Sequence, residues 1–413
     1  MNKNTIAAIA IALLATTAAP AQEKNLADCI LQAIQSNYSI KIKRNNAQIA
    51  ANDANVTPLL PTLSAAVRQS QTPGDPNPNT LSAAVALNWR IFDGLDMFVA
   101  RERLGELQNI GELQLQQAIE DLVTQVCSLY YNVVVQQYRL AATRHALQLS
   151  RERYEDAQFR YQIKKISGLE AKQAIVDLHA DSASYTHQQE LLESAYITLN
   201  KLMNDNLQLR DYIRDTIVMA PPLLPQELQK NTLEKNILLK IARARQRVSI
   251  LDYKRARAAL LPTIDLASAY TRARPDAAAN GIQWGFSMNI PIFNRLQQRV
   301  KQQNARLEAN NNEWTLRETE KELLSDLALL HNAYKSNLLM LKFESESANI
   351  AENNLNEALV MYKLGVLSGI DFRQFQKTYI DASERKFTAM YQAKTSELSL
   401  LLLSGNAQQL LAP

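Results

Sequence analysis

Two periods run along this chain. From Ile119, apolar or aromatic residues recur every seven positions through Val126, Val133, Leu140, Leu147 and Tyr154 to Tyr161. Shifted by 201 positions, the series becomes Glu320, Leu327, Tyr334, Leu341, Ala348, Leu355 and Tyr362. A sustained seven-residue repeat makes helices supercoil with left-handed twist. The stretch from Gly94 to Tyr161 therefore predicts one helix of about 100 Å, at roughly 1.5 Å per residue. After a short break, Ala171, Leu178, Tyr185, Leu192 and Leu199 again step by seven, so the chain is expected to turn and run back along its own helix. A second seam, Leu115, Leu122 and Leu129, continues with Gln136, Thr143, Ser150 and Ala157. Its counterpart runs Leu316, Leu323, Leu330, Asn337, Glu344, Ala351 and Ala358, changing character at the same register. The half nearer the turn is accordingly expected to bury about one seam and the other half two.

The second period is two residues long. Leu81, Ala83, Val85, Leu87, Trp89 and Ile91 alternate with Ser82, Ala84, Ala86, Asn88 and Arg90. Likewise Ile282, Trp284, Phe286, Met288, Ile290 and Ile292 alternate with Gln283, Gly285, Ser287 and Asn289. Each predicts a strand with one apolar and one polar face, long enough to cross a bilayer when tilted. Leu63 to Gln69 and Ile264 to Arg272 read as partner strands across Pro- and Gly-containing loops. Trp89 and Trp284 lie near opposite ends of their strands and suggest two aromatic belts. Two hairpins packed on a soluble domain are the alternative; helices this long favour a membrane barrel instead.

Both periods belong to one duplication. "LLPTL" at Leu59 recurs as "LLPTI" at Leu260, and "NWRIFD" at Asn88 as "NIPIFN" at Asn289, each 201 positions on. "RYQIKKISGLEA" likewise matches "MYKLGVLSGIDF", with Lys164 in the place of Gly365. An offset held without a gap over so long a stretch marks an internal repeat. The expected organisation is a signal peptide over 1–21, a first repeat over 22–205, a linker over 206–226 and a second repeat over 227–413.

Composition adds limits. Ten glycines and thirteen prolines in 413 residues suit a mostly helical protein. The formal net charge of +4 comes without a basic block, which speaks against a nucleic-acid partner. Lys3, the apolar run Ile6 to Ala15 and Ala19-Pro20-Ala21 form a signal peptide with cleavage expected after Ala21. No later run is apolar enough for a helical span. Cys29 and Cys127 allow at most one disulfide and do not require it. Cys29 reads as a buried residue of the first mature helix, although "LADC" faintly resembles a lipoprotein box. His145, His179, His187 and His331 lack the spacing of a metal site, and there is no phosphate loop, so no enzyme or cofactor is expected.

Leu-Pro-Thr opening each hairpin, Asn-x-x-Ile-Phe closing it and Tyr-x-x-Gly-x-x-Ser-Gly at the second turn together resemble the TolC-like outer-membrane efflux channels, or outer-membrane factors. "ADCILQAIQSNYSIKIKR" and "LEKNILLKIARAR" are similar to that family's opening helices. The resemblance runs from about Asn25 to Gly405. It implies a mainly α fold with a small β part: a trimeric α-helical barrel plus a shared 12-stranded transmembrane β-barrel, four strands per chain. Physical argument agrees, since an open sheet edge leaves backbone groups unpaired in lipid and eight strands would enclose about enough space for side chains alone.

By resemblance, the chain is the exit duct of a tripartite efflux pump in the outer membrane of a Gram-negative-type cell, extending into the periplasm. Its implied partners are two further copies, a periplasmic adaptor (membrane fusion protein), an inner-membrane pump or transporter, and outer-membrane lipid. Lys164, Lys165, Ile166, Ser167 and Gly168, with Leu364, Gly365, Val366, Leu367, Ser368, Gly369 and Asp371, would form adaptor-contact tips; the lysines make the first the less typical. Leu81, Val85, Leu87, Trp89, Ile91, Ile282, Trp284, Phe286, Met288, Ile290 and Ile292 would face lipid. Asp177 and Asp371 read either as entrance charges or as solvated helix-end residues. A periplasmic coiled-coil adaptor or scaffold without a pore is the alternative, distinguished by lacking duplicated strands.

Overall fold

The computed structural model describes residues 23–56, 58–71, 79–210, 212–219, 224–274, 280–292 and 295–406. The expected signal peptide and most of both hairpin loops lie outside them. The elements run α1 (Leu26–Ser36), α2 (Tyr38–Asn55), β1 (Thr62–Gln71), β2 (Asn79–Phe92), α3 (Asp96–Gln162), α4 (Gly168–Met203), α5 (Pro225–Lys235), α6 (Ile237–Ala258), β3 (Thr263–Arg274), β4 (Gly281–Asn289), α7 (Gln297–Lys363) and α8 (Gly369–Leu403). The duplication is visible in the bounds: α3 and α7 both have 67 residues, beginning at Asp96 and, 201 positions later, at Gln297. No helix among the described residues is long and apolar enough to cross a membrane.

The chain forms two compact units, each built from both repeats. One contains Ile42–Gln117 and Ile237–Glu322 and carries the strands. They form a continuous antiparallel sheet in the order β1-β2-β3-β4. Side chains opposite one another across a ladder share a face. The register sets Leu63, Ala65 and Val67 against Leu87, Val85 and Ala83, and Val85, Leu87 and Trp89 against Tyr270, Ser268 and Leu266. Those three β3 residues in turn meet Ile282, Trp284 and Phe286. The phases read separately in the two repeats therefore merge into one apolar face, on which Ile282 is 72% exposed and Phe286 65%. The other face is small and polar, with Arg90 paired to Asp265 at 2.9 Å.

Three strand expectations need correction. β4 stops at Asn289 because Pro291 has no amide hydrogen to extend the ladder, so Ile290 and Ile292 lie beyond the strand. The β2–β3 register shifts between Arg90 and Phe92, leaving Ile91 in the irregularity while Phe92 pairs with Ile264. Trp89 and Trp284 do not mark two belts: their β3 partners, Leu266 and Ser268, are two residues apart, about 7 Å along the strand. Trp89 instead donates its indole N–H to the Leu59 carbonyl at 2.9 Å.

The other unit contains Met1–Lys41, Ala118–Asn236 and Leu323–Pro413. Asn25 and Asp28 form a capping box that starts α1, and Pro225 occupies the first turn of α5. Two asparagines close matching corners: Asn37, after α1, donates to the Leu202 carbonyl and Asn236, after α5, to that of Leu403, both at 2.9 Å. The linker is pinned by side chains. Gln137 donates to the Ile213 carbonyl at 2.9 Å, Tyr130 to Asp215 at 3.0 Å and Lys394 to the Val218 carbonyl at 2.9 Å. Lys394 is itself buried against Glu397 at 2.8 Å. Cys29 and Cys127 are free and buried, and burial pushes both thiols up to about 12.

The second seam also differs from expectation. It loses apolar character near the turn but keeps much of its burial: Gln136, Ser150 and Ala157 are buried, as are Ala351 and Ala358, while Thr143, Asn337 and Glu344 are half-buried. Polar groups taken out of water need partners, and these have them. Gln188 donates to Gln136 at 2.7 Å, and Asn337 donates to Ser396 at 2.6 Å.

Candidate functional site: two helical turns and the polar network behind them

The two turns share one backbone design. At the first, Lys164 N–H donates to the Tyr161 carbonyl at 2.9 Å and Lys165 N–H to that of Arg160 at 2.8 Å. At the second, Gly365 N–H donates to the Tyr362 carbonyl and Val366 N–H to that of Met361, both at 3.0 Å. This paired pattern closes a helix through one left-handed residue. Lys164 has φ 58° and Gly365 φ 77°. Ser167 and Ser368 then cap the return helices, accepting from the N–H groups of Glu170 and Asp371 at 3.2 Å.

Their surfaces differ. The first turn exposes Lys164 and Lys165 between Ile163 and Leu169, whereas the second exposes Leu364, Val366 and Ile370. Ile166 and Leu367 are half-buried, and Leu367 packs on the cluster of Leu149, Leu355, Ala358, Tyr362 and Phe372. Gly168 lies beside the Tyr161 ring, and buried Gly369 lies beside Glu170 and Tyr362. The Tyr362 ring stacks on Phe372 with centroids 5.3 Å apart and lies 5.1 Å from the Arg160 guanidinium. Burial, and then the Asp156 carboxylate beside it, push the Tyr362 hydroxyl well above its ordinary value.

Behind the turns is a buried network that sequence reading missed. Arg373 of α8 grips Asp181 of α4 with two bonds, at 2.6 and 2.8 Å. Ser150 of α3 donates to the same carboxylate. Gln376 donates to Ser150 at 2.9 Å and to the Ala146 carbonyl at 2.8 Å. One turn away, buried Arg153 bonds Asp177 and donates to the Gly369 carbonyl at 2.9 Å. The network therefore joins α3, α4 and the start of α8. The Asp181 hydrogen bond raises the Arg373 guanidinium above its ordinary value and keeps it charged.

The two expected entrance charges have different settings. Asp177 is engaged by Arg153 and by Gln173 at 3.0 Å. Asp371 is exposed and accepts from the Ser368 hydroxyl at 2.7 Å. Of the histidines, His187 lies 3.1 Å from Glu190 and His145 packs edge-on against Tyr379. No cluster of three or more metal-ligating side chains occurs among the described residues.

The family model described as "Outer membrane efflux protein" matches residues 228–406. The match falls on the second repeat, and the 201-residue offset ties the first repeat to it. The CmeC outer membrane channel of Campylobacter jejuni shares 16% identity over 93% of this chain and 86% of its own, with a TM-score of 0.80. The MtrE outer membrane channel of Neisseria gonorrhoeae, in its open state, shares 17% identity over 94% and 90%, with a TM-score of 0.78. VceC of Vibrio cholerae shares 14% identity over 92% and 96%, with a TM-score of 0.77. No curated protein matches the sequence. The family resemblance and the mainly α fold with a small β part, read from the sequence, are borne out.

Proposed function

We infer that the chain is the exit duct of an efflux system, conducting substrates passively across the periplasm and the outer membrane as a homotrimer. The observation that carries this reading is the four-stranded sheet with one continuous exposed apolar face and two unpaired edges, β1 and β4. In lipid such edges must be closed, and three chains close twelve strands around a water-filled interior. The family match and the shared fold support the same reading.

The apolar face of the sheet meets lipid, and its small polar face lines the pore. The two helical turns form the periplasmic end and dock an adaptor, while an inner-membrane pump supplies the energy. Membrane fractionation, detergent extraction and a mass measurement test the assembly. Recovery of a three-chain complex from the outer membrane that conducts ions in planar bilayers is expected. A water-soluble monomer would overturn the reading.

A further inference from the structure

The apolar face is not apolar to its end. Arg272 and Arg274 stand on it two residues apart, opposite Ala83 and Leu81 of β2. They lie at the hairpin-loop end of the sheet, opposite the end at which α2, α3, α6 and α7 join it. From Leu266, the partner of Trp89, to Arg274 is eight residues of β3. That is about 26 Å along the strand, or roughly 20 Å of height at a tilt of about 40°. Tyr270, 50% exposed, sits just inside Arg272 on the same face, with Trp284 beyond it. The order along the face is thus apolar band, aromatic residues, two cations.

Both arginines are exposed, and neither side chain makes an ion pair or hydrogen bond among the described residues. They differ in this from Arg90 on the opposite face, which has Asp265. β3 is an interior strand, flanked by β2 and β4 of its own chain, although its ladder with β4 ends at Thr271 and Gly281, so a neighbouring copy joining at the sheet edges β1 or β4 does not lie beside the arginines. A cation on a lipid-facing barrel surface is costly at mid-membrane and nearly free of cost at the rim, where its long side chain reaches the headgroups. Guanidinium groups are suited to phosphate, which they bind through two parallel charge-assisted hydrogen bonds. The first repeat has no such pair: Gln71 and Pro73 occupy the positions of Arg272 and Arg274.

We propose that Arg272 and Arg274 bind the phosphate groups of an anionic lipid headgroup in the outer leaflet, one site per chain. The inference rests on the outer-membrane channel reading, which orients the hairpin loops outward. It adds a lipid contact that fixes the depth and rotation of the barrel in the membrane.

Native mass spectrometry of the detergent-purified trimer tests it, with bisphosphorylated lipid A and its chemically dephosphorylated form as probes. The wild-type trimer should retain lipid A, and R272Q/R274Q should lower retention by about tenfold while remaining trimeric. R272K/R274K should restore part of it. Arg68→Gln, on the opposite face, should change nothing. Equal retention of the two lipids by the wild type, or unchanged retention in R272Q/R274Q, overturns the lipid site and leaves the channel reading intact. Absence of any trimer overturns both.

Discussion

Two buried residues near the turn of the first helical hairpin are polar or charged where their counterparts in the second are alanines. Ser150 and Asp181 in α3 and α4 become Ala351 and Ala382 in α7 and α8, and those alanines pack with Ala348 in a buried cluster beside Tyr379. The difference is not compensated within the first hairpin, because Arg373 and Gln376 come from α8, where the first copy has Lys172 and Ile175. Two helix pairs with one ancestral backbone thus use opposite solutions. One closes by alanine packing; the other closes around a carboxylate that also holds a third helix. A buried ion pair adds little net stability compared with apolar packing, but losing one partner strands the other. The first hairpin is therefore the more fragile and the more specific in what it holds.

Breaking the carboxylate has the largest expected effect. Asp181→Ala should destabilise the protein by about 3 kcal/mol, since Arg373 keeps only the neutral partners Gln376 at 3.0 Å and Ser150 at 3.5 Å. Converting the whole site to the apolar pattern, with Ser150→Ala, Asp181→Ala and Arg373→Leu together, should restore most of that loss. Urea unfolding followed by circular dichroism checks both. A triple variant as weak as Asp181→Ala would mean that the network is worth more than the packing that replaces it.

The reverse exchange should have the next largest effect. Ala382→Asp places a carboxyl against Ala348, Ala351 and Tyr379, whereas its counterpart Asp181 meets Arg373. The cost expected is about 2 kcal/mol, from crowding and from burial without a partner. Burial without a partner raises the folded-state pKa of the new carboxyl above its unfolded value, so the penalty should shrink as pH falls through that raised value. A deficit independent of pH between 8 and 5 would assign it to crowding alone.

Why this contrast was hard to read from the chain is a matter of sequence distance. The heptads placed α3 within two residues of both its ends, and the two-residue alternation placed the apolar face on β2 and β4, because both signals are local and periodic. The bond between Arg373 and Asp181 spans 192 positions, and no period connects residues of different helices. Its trace was present: the second seam turns polar at Gln136, Thr143 and Ser150. Loss of apolar character suggested loss of burial there, whereas Ser150 is fully buried and hydrogen-bonded. Comparison of the copies residue by residue, rather than motif by motif, would have shown Asp181 against Ala382. Pro291, too, carried the information that β4 ends early, overridden by alternation that continues past it.

The turns themselves provide the smallest and cleanest exchange. Lys164 occupies a left-handed conformation that costs an ordinary residue roughly 1–2 kcal/mol, while glycine adopts it freely at the expense of a more flexible unfolded chain. Lys164→Gly should therefore stabilise the first hairpin by about 1 kcal/mol or less, and Gly365→Lys should cost the second a similar amount. Sterics do not intervene, since a Cβ at Gly365 would meet only Arg160 Nη1 at 4.0 Å. Because the first copy already tolerates lysine there, Gly365→Lys should still assemble as a trimer. Its consequence should appear in function instead: an ammonium group would stand among Leu364, Val366 and Ile370, the apolar surface proposed to dock the adaptor. Efflux in cells should then fall sharply with the amount of trimer in the outer membrane unchanged. Undiminished efflux would remove the docking role from the second turn and leave the difference between the two turns a matter of backbone energetics alone.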